Sequence, residues 1–348
     1  MPVTIERLCP SDMAPIGAFR ERRLRRGVIG DRGATIEIGL VNNMPDAAMP
    51  ATERQFANLL AAASDRFEVR LHLLALDDVP RSKEAREEIA RTYRDAGQLR
   101  TMGLDALIIT GAEPIAAELA DEPYWPALTE LIDWAEANTF STVLSCLAAH
   151  AGVLHLDGVA RRPLRTKCSG VFSFDALARH PLLAGLEKGL TTPHSRRNGL
   201  DRQDLMRCGY QVLAYRADVG VDIFVKQSRA LIVFLQGHPE YGDESLAREY
   251  RRDMGRYLQG AQDRPPVVPA NYFPSEVERL LDDFAARAER ERRPELMREF
   301  PESGAHGPGD APWRGGAAQL YSNWLAIVAE RKAALARSAP IAAVRSGG

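Results

Sequence analysis

The stretch Ser141-Thr-Val-Leu-Ser-Cys146-Leu-Ala-Ala-His150-Ala-Gly-Val-Leu-His155 changes character at its middle. Thr142, Val143 and Leu144 make a short β-branched and apolar run that leads into Ser145-Cys146. Leu147, Ala151, Val153 and Leu154 then follow at helical spacing. The reading is strand, sharp turn, helix, with a thiol at the turn. The same geometry lifts the nucleophile of an elbow above the carboxyl end of a sheet. A cysteine near a helix N-terminus meets a partial positive charge there, which favours the thiolate. The stretch also fits a small core cysteine, since free thiols are among the most buried groups. Its neighbours decide between the two.

Working backwards, strands alternate with helices. Thr35-Ile-Glu-Ile-Gly-Leu-Val41 reads as a strand ending in Asn42-Asn43-Met44-Pro45, and a helix over 51–63 puts Phe56, Leu59 and Leu60 on one face. Phe67 to Leu74 alternates as a second strand, and the charged segment from Arg81 to Arg94 reads as a solvent-facing helix. Leu104-Asp-Ala-Leu-Ile-Ile-Thr-Gly111 is nearly continuous in apolar residues, the mark of a buried parallel strand. A helix over 124–137 precedes the elbow. This order predicts an α/β fold, a mostly parallel sheet with helices on both faces. Ligands of such sheets sit beyond the carboxyl ends of the strands. Asn42–Met44, Thr110–Ala112 and Ser145–Cys146 therefore converge on one crevice.

Working forwards, Arg165-Thr-Lys167-Cys-Ser-Gly-Val-Phe172 puts a lysine just before a strand, and Thr192-Pro-His194-Ser195-Arg196-Arg197-Asn198 is a dense polar loop. Two strands are expected near Gln211–Tyr215 and Val221–Lys226. Ala230-Leu-Ile-Val-Phe-Leu-Gln-Gly237-His238-Pro-Glu240-Tyr241 is an apolar strand that ends in Gly, His, a rigid Pro and Glu. A neutral histidine beside a thiol takes its proton, and a carboxylate two residues on fixes the tautomer and holds the imidazolium. Read by itself, His238-Pro-Glu240 is equally a turn. An elbow cysteine together with a strand-end His-Pro-Glu is a much sharper signal.

After the Pro-rich break at Arg264-Pro-Pro266, a charged helix is expected over 275–293 with Ser275 as its N-cap, then an open loop over 301–312. A last amphipathic helix over 319–334 turns Leu320, Trp324, Leu325 and Val328 inward. Residues 1–33 read as an N-terminal arm, 34–262 as the α/β core and 263–348 as a C-terminal helical subregion packed on it. The arm carries a basic cluster, Arg20, Arg22, Arg23, Arg25 and Arg26, but Glu21 interrupts it and no aromatic residues interleave. That describes a solvated or docked face, not a nucleic-acid site.

Composition narrows the class further. With 348 residues, 45% hydrophobic and 26% charged, the chain has the make-up of a soluble globular protein. Its net charge of −2 gives no general attraction to nucleic acid or to an anionic membrane. No apolar run approaches the roughly 20 residues of a membrane span, and the first residues lack the apolar core of a signal peptide. Cys9, Cys146, Cys168 and Cys208 are widely spaced with no CxxC, so neither a disulfide framework nor a zinc site is expected. The expectation is a cytoplasmic protein with free thiols and no bound metal.

The chain resembles the homoserine O-acyltransferase family of methionine biosynthesis, of the homoserine O-succinyltransferase type. The likeness spans about residues 35–335. It rests on Asn43-Met-Pro45 with Glu53-Arg-Gln55, Thr110-Gly-Ala112, Tyr124-Trp125, the Cys146 elbow, Lys167-Cys-Ser-Gly-Val171 and Pro193-His-Ser-Arg196. It continues through Gly237-His-Pro-Glu-Tyr241, Glu249-Tyr-Arg-Arg-Asp253, Asn271-Tyr-Phe-Pro274, Trp313-Arg314 and Asn323-Trp-Leu325. The resemblance implies a class I glutamine amidotransferase-like, flavodoxin-like three-layer fold with a helical C-terminal extension. It implies a homodimer that takes homoserine and an acyl-CoA co-substrate, succinyl-CoA or acetyl-CoA, with no permanently bound cofactor.

By the same resemblance Cys146 is the acyl-accepting nucleophile, His238 the general base and Glu240 its orienting carboxylate. Lys167, Ser195 and Arg252 match positions that contact the amino-acid substrate. Taken by themselves, Lys167 is a surface lysine and Arg252 an exposed helical arginine. The backbone N–H of Leu147, at the helix start, is the candidate donor to the oxyanion. The chain departs from the family where Cys-Trp and a Gln four residues after the Cys are common, since Leu147 and His150 stand there. Acyl choice in the family follows a position after Thr-Gly-Ala, glycine with succinyl and glutamate with acetyl. An ungapped count puts Ile115 there, which is neither, while Glu113 lies two residues earlier. Succinyl is the family's usual donor and the leading expectation. An acetyltransferase acting on homoserine or serine stays open, as do a Cys-His-Glu amidohydrolase and a non-catalytic binding protein. The Gly-x-Cys-x-Gly-x-Gln elbow usual for glutamine hydrolysis is absent.

Overall fold

In the computed structural model, which describes residues 3–6, 35–307, 309 and 311–338, the chain begins with strand β1 at Val3–Glu6. There follow Thr35–Val41 (β2), Met49–Ala63 (α1), Glu68–Ala75 (β3), Lys83–Thr92 (α2), Arg94–Asp95 (β4), Leu99–Met102 (α3) and Ala106–Ile109 (β5). Trp125–Asn138 (α4), Ser141–Ser145 (β6) and Leu147–Asp157 (α5) complete the first half. The second half runs Arg162–Ala176 (β7), Leu190–Gly199 (β8), Arg202–Arg207 (α6), Gln211–Val212 (β9), Ala214–Arg216 (β10) and Gly220–Val221 (β11). Ile223–Gln227 (β12), Leu231–Leu235 (β13), Ser245–Leu258 (α7), Ser275–Arg290 (α8) and Arg314–Ser338 (α9) end it.

One sheet has the order β1-β3-β2-β5-β6-β13-β12-β9, with the short β4 beside β3. Pairing is parallel from β1 through β13 and antiparallel where β12 joins β13 and β9 joins β12. Every residue of β5, β6 and β13 is buried, as parallel strands covered on both faces require. One face packs Ile36, Ile38 and Leu40 against Phe56 and Leu60 of α1 and Trp324, Leu325 and Val328 of α9. The other packs Leu107, Ile109 and Leu144 against Leu128 and Leu131 of α4 and Ala148 and Val153 of α5. The expected α/β three-layer architecture is present, and the C-terminal helix belongs to one of its layers. A third apolar cluster joins Leu246, Tyr250 and Met254 of α7 to Leu281 and Phe284 of α8.

Several expected elements differ in detail. The strands expected at 211–215 and 221–226 each break in two. β9 and β12 lie in the large sheet, whereas β10 and β11 join β7 and β8 in a second, antiparallel sheet. The switch falls at buried Leu213 and Asp222, where Leu213 N–H donates to Ile223 O at 2.8 Å and Asp222 N–H to Ala214 O at 3.0 Å. Backbone pairing thus continues through the kink, so apolar alternation shows no sign of it. Ser275 is the first helical residue of α8 and not its N-cap; Pro274 holds that place, with no side-chain cap. The loop over 301–312 is partly packed: Ala311 is buried and Glu302–Ala305 forms a 3-10 turn. Of the N-terminal arm, Val3–Glu6 forms an edge strand on β3, and the basic cluster lies outside the described residues.

Candidate active site

Cys146 stands between β6 and α5 with φ +53° and ψ −111°. A non-glycine residue held in so sparsely populated a region costs about 1–3 kcal/mol and persists only where its surroundings hold it. Here Cys146 N–H donates to Leu235 O at 2.7 Å, and Cys146 O accepts from Ala149 N–H at 3.0 Å in the first turn of α5. One bond ties the elbow to β13, the other to its own helix.

The parallel register of β13 with β6 sets Leu235 beside Ser145. The chain that leaves β13 therefore reaches the elbow within three residues, and His238 arrives at Cys146. His238 N–H donates to Pro193 O at 2.7 Å, its Nδ1 lies 2.8 Å from Glu240 Oε1, and its ring stacks on Tyr241 with centroids 4.2 Å apart. With Nδ1 occupied, Nε2 is left to hydrogen-bond the Cys146 side chain. Burial works against charge on the imidazole, but the facing thiolate and the Glu240 carboxylate outweigh it and hold its pKa well above 6.5. A charged imidazole beside the Cys146 sulfur is the state this geometry favours.

The expected substrate contacts gather next to this set. Lys167 on β7 donates from Nζ to Asp253 Oδ2 at 2.8 Å and to Glu249 Oε2 at 3.4 Å. Ser195 on β8 donates to the same Glu249 oxygen. Arg252 donates from Nε to Asp253 Oδ1 at 2.9 Å and keeps its side chain 47% exposed. Tyr241 joins the two groups: stacked on His238, its hydroxyl donates to Glu249 Oε1 at 2.6 Å. Burial opposes ionisation of Glu249 and Asp253, yet Lys167 and their other donors hold both carboxyls below their ordinary values. Tyr241, Glu249 and Asp253 carry no role in the sequence reading. All three stand in motifs that carry the family resemblance, but taken by themselves Glu249 and Asp253 are two acids four residues apart beside Arg252, a pattern that ordinarily marks a solvated face.

The three strand ends converge as expected. Asn43 N–H donates to Thr110 Oγ1 at 2.8 Å, and Gly111 lies so close to the elbow that a Cβ on it would stand 3.0 Å from Leu147 N. Leu147 is the first residue of α5, where N–H groups have no acceptor within the helix. Glu113 pairs with Arg256 of α7 at 2.6 Å, whereas Ile115 is 69% exposed and turned to solvent. His150 is 3% exposed, and burial first, then the Arg196 and Arg161 charges, push its pKa down to about 3. It is a neutral core histidine behind the elbow. No group of three or more His, Cys, Asp or Glu among the described residues is arranged to hold a metal ion.

Fold and site define a class: an α/β protein that presents an elbow cysteine to a histidine held by a carboxylate, beside a cluster of paired charges. The family model for homoserine O-succinyltransferase matches residues 27–334, and the chain belongs to that family, which makes it an acyltransferase. A homoserine O-succinyltransferase from Methylorubrum extorquens is 51% identical over 298 residues, covering 86% of this chain and 88% of that protein. One from Rhodopseudomonas palustris is 49% identical over 302 residues, covering 86% and 91%. Among solved structures, a glutamine amido transferase from Methylobacillus flagellatus has a TM-score of 0.49 at 16% identity, over 84% of this chain and 94% of that one.

Proposed function

We propose that this chain transfers the succinyl group of succinyl-CoA to the hydroxyl of homoserine, through a thioester on Cys146. The observation that carries this reading is the Cys146–His238–Glu240 set on its strained elbow, in a member of this family. The Cys146 thiolate attacks the donor carbonyl, and the tetrahedral oxyanion that forms takes the Leu147 N–H. The bond to CoA sulfur breaks, and the leaving thiolate takes the proton of the His238 imidazolium. One thioester replaces another, so the acyl-enzyme forms at little thermodynamic cost. His238, now neutral, removes the homoserine hydroxyl proton as that oxygen attacks, and Cys146 leaves as thiolate beside the re-formed imidazolium. Glu240 holds the ring throughout.

Arg252, exposed on one side and tied to Asp253 on the other, receives the amino-acid carboxylate in a bidentate pair, with Lys167 and Ser195 alongside. Neither acyl-specificity candidate presents an unpaired carboxylate to a succinyl chain: Glu113 is neutralised by Arg256 and Ile115 points outward. That supports the succinyl donor. The same proposal takes acyl-CoA as a co-substrate with no permanently bound cofactor, small molecules as the only substrates, a homodimer, and the cytoplasm as location. It keeps an arm at 1–33, a catalytic core at 34–262 and a helical subregion at 263–348. No described helix is long and apolar enough to cross a membrane. Steady-state assays with homoserine and either donor, following CoA release, test the reading. Turnover with succinyl-CoA well above that with acetyl-CoA is expected, and the reverse order would move the assignment to an acetyltransferase.

A further inference from the structure

Strand β8 faces two ways. Ser195 points to Glu249 of α7, while its neighbours His194 and Arg196 turn inward and are 0% and 5% exposed. Behind the active site these two meet Asp222, the strand-switch residue, itself 0% exposed. Arg196 Nε–H donates to His194 Nδ1 at 3.3 Å, and its other nitrogens donate to Asn198 O at 2.8 Å and Val219 O at 2.6 Å. A guanidinium has no lone pair to offer, so Nδ1 is the acceptor and the ring proton sits on Nε2. Nε2 faces Asp222 Oδ1 at 3.2 Å. A neutral imidazole thus stands between a buried cation, from which its Nδ1 accepts, and a buried carboxylate that lies near its Nε2 but out of line for a hydrogen bond.

Asp222 acts on the approach to His238. Its carbonyl accepts Gln236 N–H at 2.9 Å, and its Oδ1 accepts Gly237 N–H at 3.0 Å. The next N–H, that of His238, goes to Pro193, the residue before His194. Of the three successive N–H groups leading to His238, Asp222 holds two and the residue before His194 holds the third. It closes so tightly that a Cβ on Gly237 would stand 2.5 Å from Thr192 Cγ2, 2.7 Å from His194 Nε2 and 2.8 Å from Asp222 Oδ1.

We propose that Arg196, His194 and Asp222 form a positioning set for His238, fixing the backbone that aims its ring at Cys146 without touching the substrate. None of the three touches the reacting atoms, so they act only through His238. The proposal rests on the thioester reading for its rate prediction, but not for its geometry.

The test is a set of full-length variants, His194→Phe, His194→Gln and Asp222→Asn, each checked for folding by thermal melting. A glutamine carboxamide can accept from Arg196 and place an N–H beside Asp222, whereas phenylalanine offers neither. His194→Phe is expected to lower kcat by about 100-fold, the scale of a misplacement near 1 Å, with KM for homoserine within about twofold. His194→Gln should stay within about threefold of wild type on the same reasoning, and Asp222→Asn should fall between. The pH profile of Cys146 alkylation by iodoacetamide, without substrates, reads the thiolate–imidazolium pair directly. It should change in His194→Phe and persist in His194→Gln. Phe and Gln variants with the same kcat and the same alkylation profile would overturn the proposal. Should His194→Phe not fold, an Asp222→Asn variant with wild-type kcat and profile overturns it equally. If the wild type transfers no acyl group, the functional reading fails, while the alkylation profiles still decide the positioning role.

Discussion

Cys146 at φ +53° is the residue where local preference yields to the demands of the site. Its partners His238 and Glu240 were legible in the sequence because both follow the end of an apolar strand, where a buried parallel sheet delivers its functional groups. Glu249 and Asp253 were not. Asp253 meets Lys167 across 86 residues, and no local pattern distinguishes an acid that answers a distant lysine from one that faces water. On the proposed role of Glu240 as the carboxylate that orients His238, Glu240→Gln should lower kcat with a smaller change in KM, measured at steady state. An unchanged kcat would remove Glu240 from the catalytic set. His150 makes a different prediction. Its folded pKa of about 3 lies below the ordinary 6.5, so between these values the unfolded chain binds the extra proton and stability is lost as pH falls. At pH 5 the loss is roughly 2 kcal/mol relative to pH 8, from the two pKa values and linkage. His150→Gln should flatten that part of the stability curve in urea titrations at the two pH values. An equal acid-induced loss in the variant would show that His150 is not its source.

At the scale of elements, the hydrophobic period marks α1, α4, α5, α8, α9 and strands β2, β3, β5, β6 and β13 to within about five residues, but it misses α7, and 192–198, which reads as a polar loop, belongs to strand β8. What the period could not show was where a strand changes sheets, because the backbone bonds of Leu213 and Asp222 continue unbroken through the switch. That switch puts Asp222 under Gly237, so a detail invisible in the pattern shapes the active site. Helix α9 makes the converse point: its inward face was legible, but not its place in the three-layer core. Trp324 is 1% exposed, and its Nε1 donates to Ser141 Oγ at 2.9 Å, at the start of the strand that carries the elbow. Trp324→Ala should cost about 3–5 kcal/mol in equilibrium unfolding, as a large buried aromatic does. A loss under about 1 kcal/mol, typical of a surface substitution, would contradict that packing.

At the scale of the molecule, the match to the homoserine O-succinyltransferase family covers residues 27–334, which takes in every described strand after β1 and all but the last turn of α9. The large sheet positions the Cys146 elbow and His238, and the smaller sheet positions Lys167 and Ser195. Helix α7 supplies the charges that hold those two in place. The arrangement makes sense if an acyl group rests on Cys146 between two half-reactions. Intact-protein mass spectrometry after mixing with succinyl-CoA, in the absence of acceptor, tests this directly. The expected result is a single adduct of succinyl mass on the Cys146 peptide, absent from Cys146→Ala and discharged by homoserine as the acylated product appears. Turnover without any adduct on Cys146, or an adduct that homoserine leaves in place, would contradict the thioester route.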